Sequence, residues 1–97
     1  MKVSEFQKLI KELYSKKDIE RGLYKTFIWL IEEVGELASI IKSKEIRKEE
    51  IKDELADIIA WTVSIANILE VDIENALIDK YPNKCRNCNS SPCICEE

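Results

Sequence analysis

IEEVGELASII (Ile31–Ile41) and KDELADIIAW (Lys52–Trp61) place four carboxylates, Glu33, Glu36, Glu54 and Asp57, inside stripes that are otherwise apolar. On a helix, residues three or four apart share a face. Trp29, Glu33 and Glu36 are therefore neighbours along one segment, and Glu54, Asp57 and Trp61 along the other. Glu33 and Asp57 lie equidistant from a point near Glu45, and so do Glu36 and Glu54. An antiparallel helix hairpin with its tip there sets Glu33 level with Asp57 and Glu36 level with Glu54, each arm rising roughly 13 Å between the tip and Glu36 or Glu54. Carboxylates at that density are costly to desolvate unless compensated. A hard divalent cation with oxygen ligands, Mg²⁺ or Mn²⁺, supplies the compensation.

The competing reading is a solvated acidic face. Glu is a good helix former, and 19 acidic residues in 97 positions make chance pairs common. Either pair alone supports that reading. Both pairs together, flanked by Trp29 and Trp61 at matching heights, do not, because a solvated face has no reason to place two indoles there. Glu32, one residue off the shared face, is expected to hold a second ion or to orient a metal-bound water.

Working outward, the pattern predicts an all-α, four-helix subunit. Phe6, Leu9, Ile10, Leu13 and Tyr14 recur at helical intervals after Ser4 and Gln7, which have capping-box spacing. The first helix is expected to end near Tyr14 or Lys16, with KKDIERG (Lys16–Gly22) as a charged loop and Asp18 as an N-cap. Helix two runs from about Leu23 to Lys42, Ser43 to Ile46 form the turn, and helix three carries Ile51, Leu55, Ile58, Val63, Ala66 and Leu69. Asp72 caps a short fourth helix that ends before Pro82. Residues 1–82 form the helical domain, and residues 83–97 form a separate tail of Cys, Asn, Ser and Pro.

Composition narrows the function. A chain of this length sits where one core is only modestly stable, so a homodimer or homotetramer is expected. Five of the 19 acidic residues belong to the two motifs, and the remaining 14 nearly match the 15 Lys and Arg, so the acidity is local. No basic excess suggests nucleic acid as a partner. No apolar run reaches the roughly 18 residues of a membrane span, and MKVSEFQKLI has no extended apolar leader. A cytoplasmic location is expected. The absence of histidine removes Ser-His-Asp and Cys-His catalysis and imidazole-ligated zinc hydrolysis.

All four cysteines fall in the tail as Cys85-x-x-Cys88 and Cys93-x-Cys95. In a reducing compartment such thiols are more often metal ligands than disulfides, and a closed Cys₄ zinc site is the preferred reading. A labile disulfide pair and an unstructured tail are the alternatives.

RGLYKTFIWLIEEVGELA, followed by KDELADIIAWTVSIANILEVDIENALIDKYP, resembles the all-α nucleoside triphosphate pyrophosphohydrolases of the MazG type, whose signature is EExxE, a spacer, then ExxD. The resemblance covers about residues 21 to 82. It implies Mg²⁺ ligation by Glu33, Glu36, Glu54 and Asp57, and hydrolysis of a nucleoside triphosphate to the monophosphate and pyrophosphate. Asn67, Asn75 and Lys80 resemble polar positions near the bound nucleotide in some relatives. Proton abstraction from water falls to Glu32 or Glu36. Arg21, Lys25 and Lys80 are candidates to neutralise phosphate. Trp29 and Trp61, with Tyr24 and Phe27, either stack on the base or fill the core. The phosphoribosyl-ATP pyrophosphohydrolases of histidine synthesis are similar in size and carboxylate pattern and stand second. A non-enzymatic helical interaction module with a zinc tail stands third.

Overall fold

The computed structural model describes residues 1–96, and Glu97 lies outside the described residues. Four helices follow in order: α1 (Val3–Arg21), α2 (Leu23–Lys42), α3 (Lys48–Leu69) and α4 (Ile73–Lys80), with no strand among the described residues. The most extensive packing is between α2 and α3; α1 lies mainly against α3, and more lightly against α2 and α4.

The expected loop at KKDIERG is absent, because α1 continues to Arg21. Asp18 is 2% exposed and forms an ion pair with Arg21, three residues on along the same helix. Arg21 also donates from Nε to Thr26 Oγ1 at 3.0 Å, and that hydroxyl donates to the Gly22 carbonyl at 2.7 Å. Asp18 is thus no N-cap. Its charge faces inward, and the ion pair and the Thr26 hydrogen bond carry α1 through a stretch whose polarity suggests a surface loop. Gly22 alone separates α1 from α2. Its φ of 84° and ψ of 168° lie where side-chain-bearing residues are strained, which is why the chain turns at this residue and not a turn earlier.

The start of α1 also differs from expectation. Lys2 is the N-cap, and its backbone N–H donates to Glu5 Oε1 at 3.4 Å. Gln7, freed from a capping role, fastens α1 to the α3–α4 junction. Its Nε2 donates to Asn67 Oδ1 at 3.0 Å and to the Val71 carbonyl at 2.7 Å, and its Oε1 accepts from Ile73 N–H at 3.0 Å. At that junction Glu70 adopts the left-handed conformation with φ 57°, and Val71 N–H reaches back to the Ala66 carbonyl at 2.8 Å. Asp72 caps α4 as its position suggests, accepting from Asn75 N–H at 3.1 Å.

Few apolar side chains are buried: Ile10, Val63 and Ala66 are the buried hydrophobic residues among those described. The radius of gyration is 16.1 Å, against about 13 Å for a compact domain near this length. Phe27, Ile31, Val34 and Ile41 on α2, with Leu55 and Ile59 on α3, all remain substantially exposed.

A Cβ at Gly22 would meet no atom within 4 Å, so any penalty for Gly22→Ala comes from the backbone alone. Chemical denaturation should show this variant destabilised by roughly 1–3 kcal/mol; an unchanged midpoint would contradict the assigned conformation.

Candidate carboxylate metal centre

Trp29, Glu33 and Glu36 recur along one face of α2, and Glu54, Asp57 and Trp61 along one face of α3. The indoles meet edge to face, with ring centroids 5.4 Å apart and planes at 82°. The Arg21 guanidinium lies 4.7 Å from the Trp61 centroid and 5.1 Å from that of Trp29. Held by Asp18 and Thr26, it is a fixed cation against both rings, an arrangement favoured by the ring quadrupole. Lys25 Nζ stands 5.2 Å from the Trp29 centroid.

One carboxylate oxygen from each of Glu33, Glu36 and Glu54 lies within 4.8 Å of the others. Neighbouring ligands of an octahedral Mg²⁺ are about 3.0 Å apart and opposite ones about 4.2 Å, given bonds near 2.1 Å, so the three oxygens must draw in by side-chain rotation to share one ion. Glu54 Oε2 is buried and has no hydrogen-bond partner. An orphaned carboxylate oxygen is costly, and beside two further carboxylates it is suited to a cation. The residues therefore fit a hard divalent metal.

The charge of the cluster raises proton affinity within it. Glu36 is held above the usual carboxylate value by hydrogen bonding to Glu54 and by the Glu54 charge, then by partial desolvation and the charges of Glu32 and Asp57. Glu54 is raised chiefly by hydrogen bonding to Glu33, then by desolvation and the Glu33 charge, while its bond to Glu36 acts in the opposite direction. Each raised affinity marks a carboxylate whose negative charge is poorly compensated by the protein, which a cation would relieve.

Asp57 does not join the three-glutamate set. It is one methylene shorter, is exposed, and lies nearly one turn further along α3 than Glu54. It lines a cavity of about 380 Å³ with Glu33, Trp61, Arg21 and the α1 residues Tyr14, Lys17 and Asp18. Glu32 is exposed beside the cluster, and its charge reaches Glu36. The contribution of α1 is absent from the sequence reading, yet it was detectable: Tyr14, Lys17, Asp18 and Arg21 share one helical face once Lys16–Gly22 is taken as helix.

Other candidates lie elsewhere. The Asn67 side chain is occupied by Gln7, ten residues or about 15 Å of rise from Asp57, and it lines a separate hollow of about 440 Å³ with Glu70 and Asp72. Asn75 donates to Asp72 Oδ2 at 3.1 Å. Lys80 stands over Tyr81 and lines a hollow with the tail. Tyr24 is 87% exposed, and Phe27 lines a shallow apolar depression with it and Leu23. Cys85, Cys88, Cys93 and Cys95 converge in the tail.

Fold and site together define an all-helical protein whose candidate reactive centre is a cluster of glutamates shared by two helices. The family model of the MazG nucleotide pyrophosphohydrolase domain matches residues 22–89, well over half of the chain, and the protein belongs to that family. Its members are typically dependent on a divalent metal. No curated protein matches the chain. The match begins at Gly22, so α1 and its share of the cavity wall lie outside it.

The raised proton affinities of Glu36 and Glu54 set a pH dependence. Folded values above the ordinary 4.5 mean that the folded state binds these protons more tightly than the unfolded chain. The associated stability is fully present below pH 4.5 and is lost as pH rises through the raised values. Relative to a Glu36→Gln/Glu54→Gln variant, the metal-free wild type should lose thermal stability over that window, and millimolar Mg²⁺ should restore it. Parallel Tm–pH curves for the two proteins, unaffected by Mg²⁺, would contradict this assignment.

Proposed function

We propose that the protein hydrolyses a nucleoside triphosphate to the monophosphate and pyrophosphate, using Mg²⁺ or Mn²⁺ held by Glu33, Glu36 and Glu54, with Asp57 on the side facing the cavity. The observation that carries this reading is the convergence of three glutamate oxygens around a buried, unpartnered Glu54 Oε2, in a chain of the MazG family. The chemistry a divalent cation supplies at such a site is neutralisation of triphosphate charge and activation of water.

The remaining roles belong to the chain. Glu32, close enough to influence Glu36 without joining the cluster, is suited to accept the proton of the attacking water, and Glu36 is the second candidate. Water opens the phosphoanhydride between the α- and β-phosphates; its oxygen stays on one product, and its proton passes to the carboxylate. Trp61 offers part of the cavity wall to the base, with Trp29 packed edge to face against it and Arg21 beside it on the same wall. Lys17 and Lys25 bring positive charge near the site. Arg21 is committed to Asp18, Thr26 and the indoles, and therefore orders the wall rather than binding phosphate.

A second copy of the chain completes the molecule in this reading. The large radius of gyration, the three buried hydrophobic side chains and the exposed apolar stripe on α2 and α3 all indicate a missing packing surface, and covering such a stripe is what a stable homo-oligomer does. Sedimentation should give a dimer or tetramer, dissociated by Phe27→Glu with Ile31→Glu. A monomeric wild type would refute this part.

Pyrophosphate release from a panel of canonical and modified nucleoside triphosphates tests the activity itself. Glu36→Gln, Glu54→Gln and Asp57→Asn should each lower kcat/KM by about 100-fold or more, corresponding to roughly 3 kcal/mol of lost transition-state stabilisation, while retaining helical circular dichroism. No pyrophosphate from any member of the panel with Mg²⁺ or Mn²⁺ would sink the proposal.

A further inference from the structure

The tail keeps a defined shape without a core to account for it. Ile94 is the one large aliphatic or aromatic side chain between Asn83 and Glu96, and it is 74% exposed. Ordering backbone costs about 1–2 kcal/mol per residue, and apolar burial here supplies little against that. The shape is nevertheless specific. Cys85 N–H donates to the Ser90 carbonyl at 3.0 Å, Asn89 N–H returns to the Cys85 carbonyl at 2.7 Å, and Asn89 takes the left-handed conformation with φ 57°. Asparagine tolerates that conformation better than most residues.

These turns bring the four sulfurs together. One Sγ from each of Cys85, Cys88, Cys93 and Cys95 lies within 4.8 Å of the others. The Cys85–Cys95 sulfurs are 3.7 Å apart and the Cys88–Cys93 sulfurs 4.0 Å apart. A tetrahedron with zinc–sulfur bonds of about 2.3 Å has edges of about 3.8 Å. The two pairs therefore have the length of opposite edges of a ZnS₄ tetrahedron and are nearly twice the ~2.05 Å of a disulfide. A backbone donor is directed at the cluster as well: Cys95 N–H donates to Cys93 Sγ at 3.3 Å. Such a donor stabilises thiolate charge and orients a metal ligand.

We infer that Cys85, Cys88, Cys93 and Cys95 form a closed tetrathiolate zinc site that folds the tail onto the end of α4, separate from the carboxylate centre. Soft sulfur donors select Zn²⁺, whereas the hard oxygens of Glu33, Glu36 and Glu54 select Mg²⁺ or Mn²⁺, so one chain sorts two metals by ligand type. Four thiolates leave no open position, and the role is structural. A ZnS₄ centre carries two net negative charges, and Lys80, Lys84 and Arg86 line the same hollow of about 610 Å³ as Cys85 and Cys93, placing compensating cations around it.

The test is metal content and thiol state of the full chain purified under reducing conditions, followed by replacement of the metal with Co²⁺. One zinc per chain is expected, with thiols that react only after metal release and a cobalt form showing tetrahedral d–d and thiolate charge-transfer bands. Cys88→Ser and Cys93→Ser should each lose the zinc while keeping the helical circular dichroism of α1 to α3. Four freely reactive thiols without metal, two disulfides, or iron in place of zinc would overturn the inference. Pyrophosphate release and the Mg²⁺ response of the helical body are read separately, so failure at one centre does not mask the other.

Discussion

Three glutamates from two helices hold carboxylate oxygens within 4.8 Å of one another, and something positive must lie among them for α2 and α3 to stay together at that level. The crowding of these carboxyls raises the proton affinities of Glu36 and Glu54, and a cation among them would relieve it. The same contacts that strain the helix pair without an ion make the site selective for a compact, hard one, and the buried, unpartnered Glu54 oxygen is where the two requirements coincide.

The rest of the subunit is arranged to hold that helix pair. Arg21 is fixed by Asp18 and Thr26, and its guanidinium lies near both indole rings, so α1 presses on the Trp29–Trp61 contact on the side of the cavity. Gly22 makes this possible by letting α1 and α2 meet with a single residue between them. At the far end of α1, Gln7 fastens the helix to Asn67, Val71 and Ile73. The polar interior of this small protein thus performs work that its few buried hydrophobic side chains cannot. The family match covers α2 to the first half of the tail, and α1 supplies Tyr14, Lys17, Asp18 and Arg21 to the cavity wall.

Much of this was legible in the sequence, and the rest was not for identifiable reasons. The apolar periodicity of α2 and α3, the acids interrupting it and the Asp72 cap are local patterns, and local patterns can be read directly. Lys16–Gly22 reads as a loop because five of its seven residues are charged: polarity signals a loop unless a partner is known to bury Asp18, and that partner, Arg21, is recognisable only once the segment is helical. Gln7 is obscured for a similar reason, since its spacing from Ser4 imitates a capping box while its partners lie some 60 residues away. Asp57 sits on the expected face, but its carboxylate is outside the three-glutamate cluster and lines the neighbouring cavity, and helical spacing does not encode how far a side chain reaches. The cysteines were grouped by spacing alone; the opposite-edge distances of their sulfurs are a three-dimensional property.

The proposed hydrolysis depends on the glutamate cluster binding a hard divalent ion, and Mn²⁺ reports that directly through its paramagnetic resonance. Titrating Mn²⁺ into metal-free protein near neutral pH should show the free-ion signal suppressed to a saturating stoichiometry. Mg²⁺ should compete it back, and Glu54→Gln should abolish the suppression in a protein that remains folded. A free Mn²⁺ signal that grows in proportion to added metal, or binding that survives Glu54→Gln unchanged, would contradict the account.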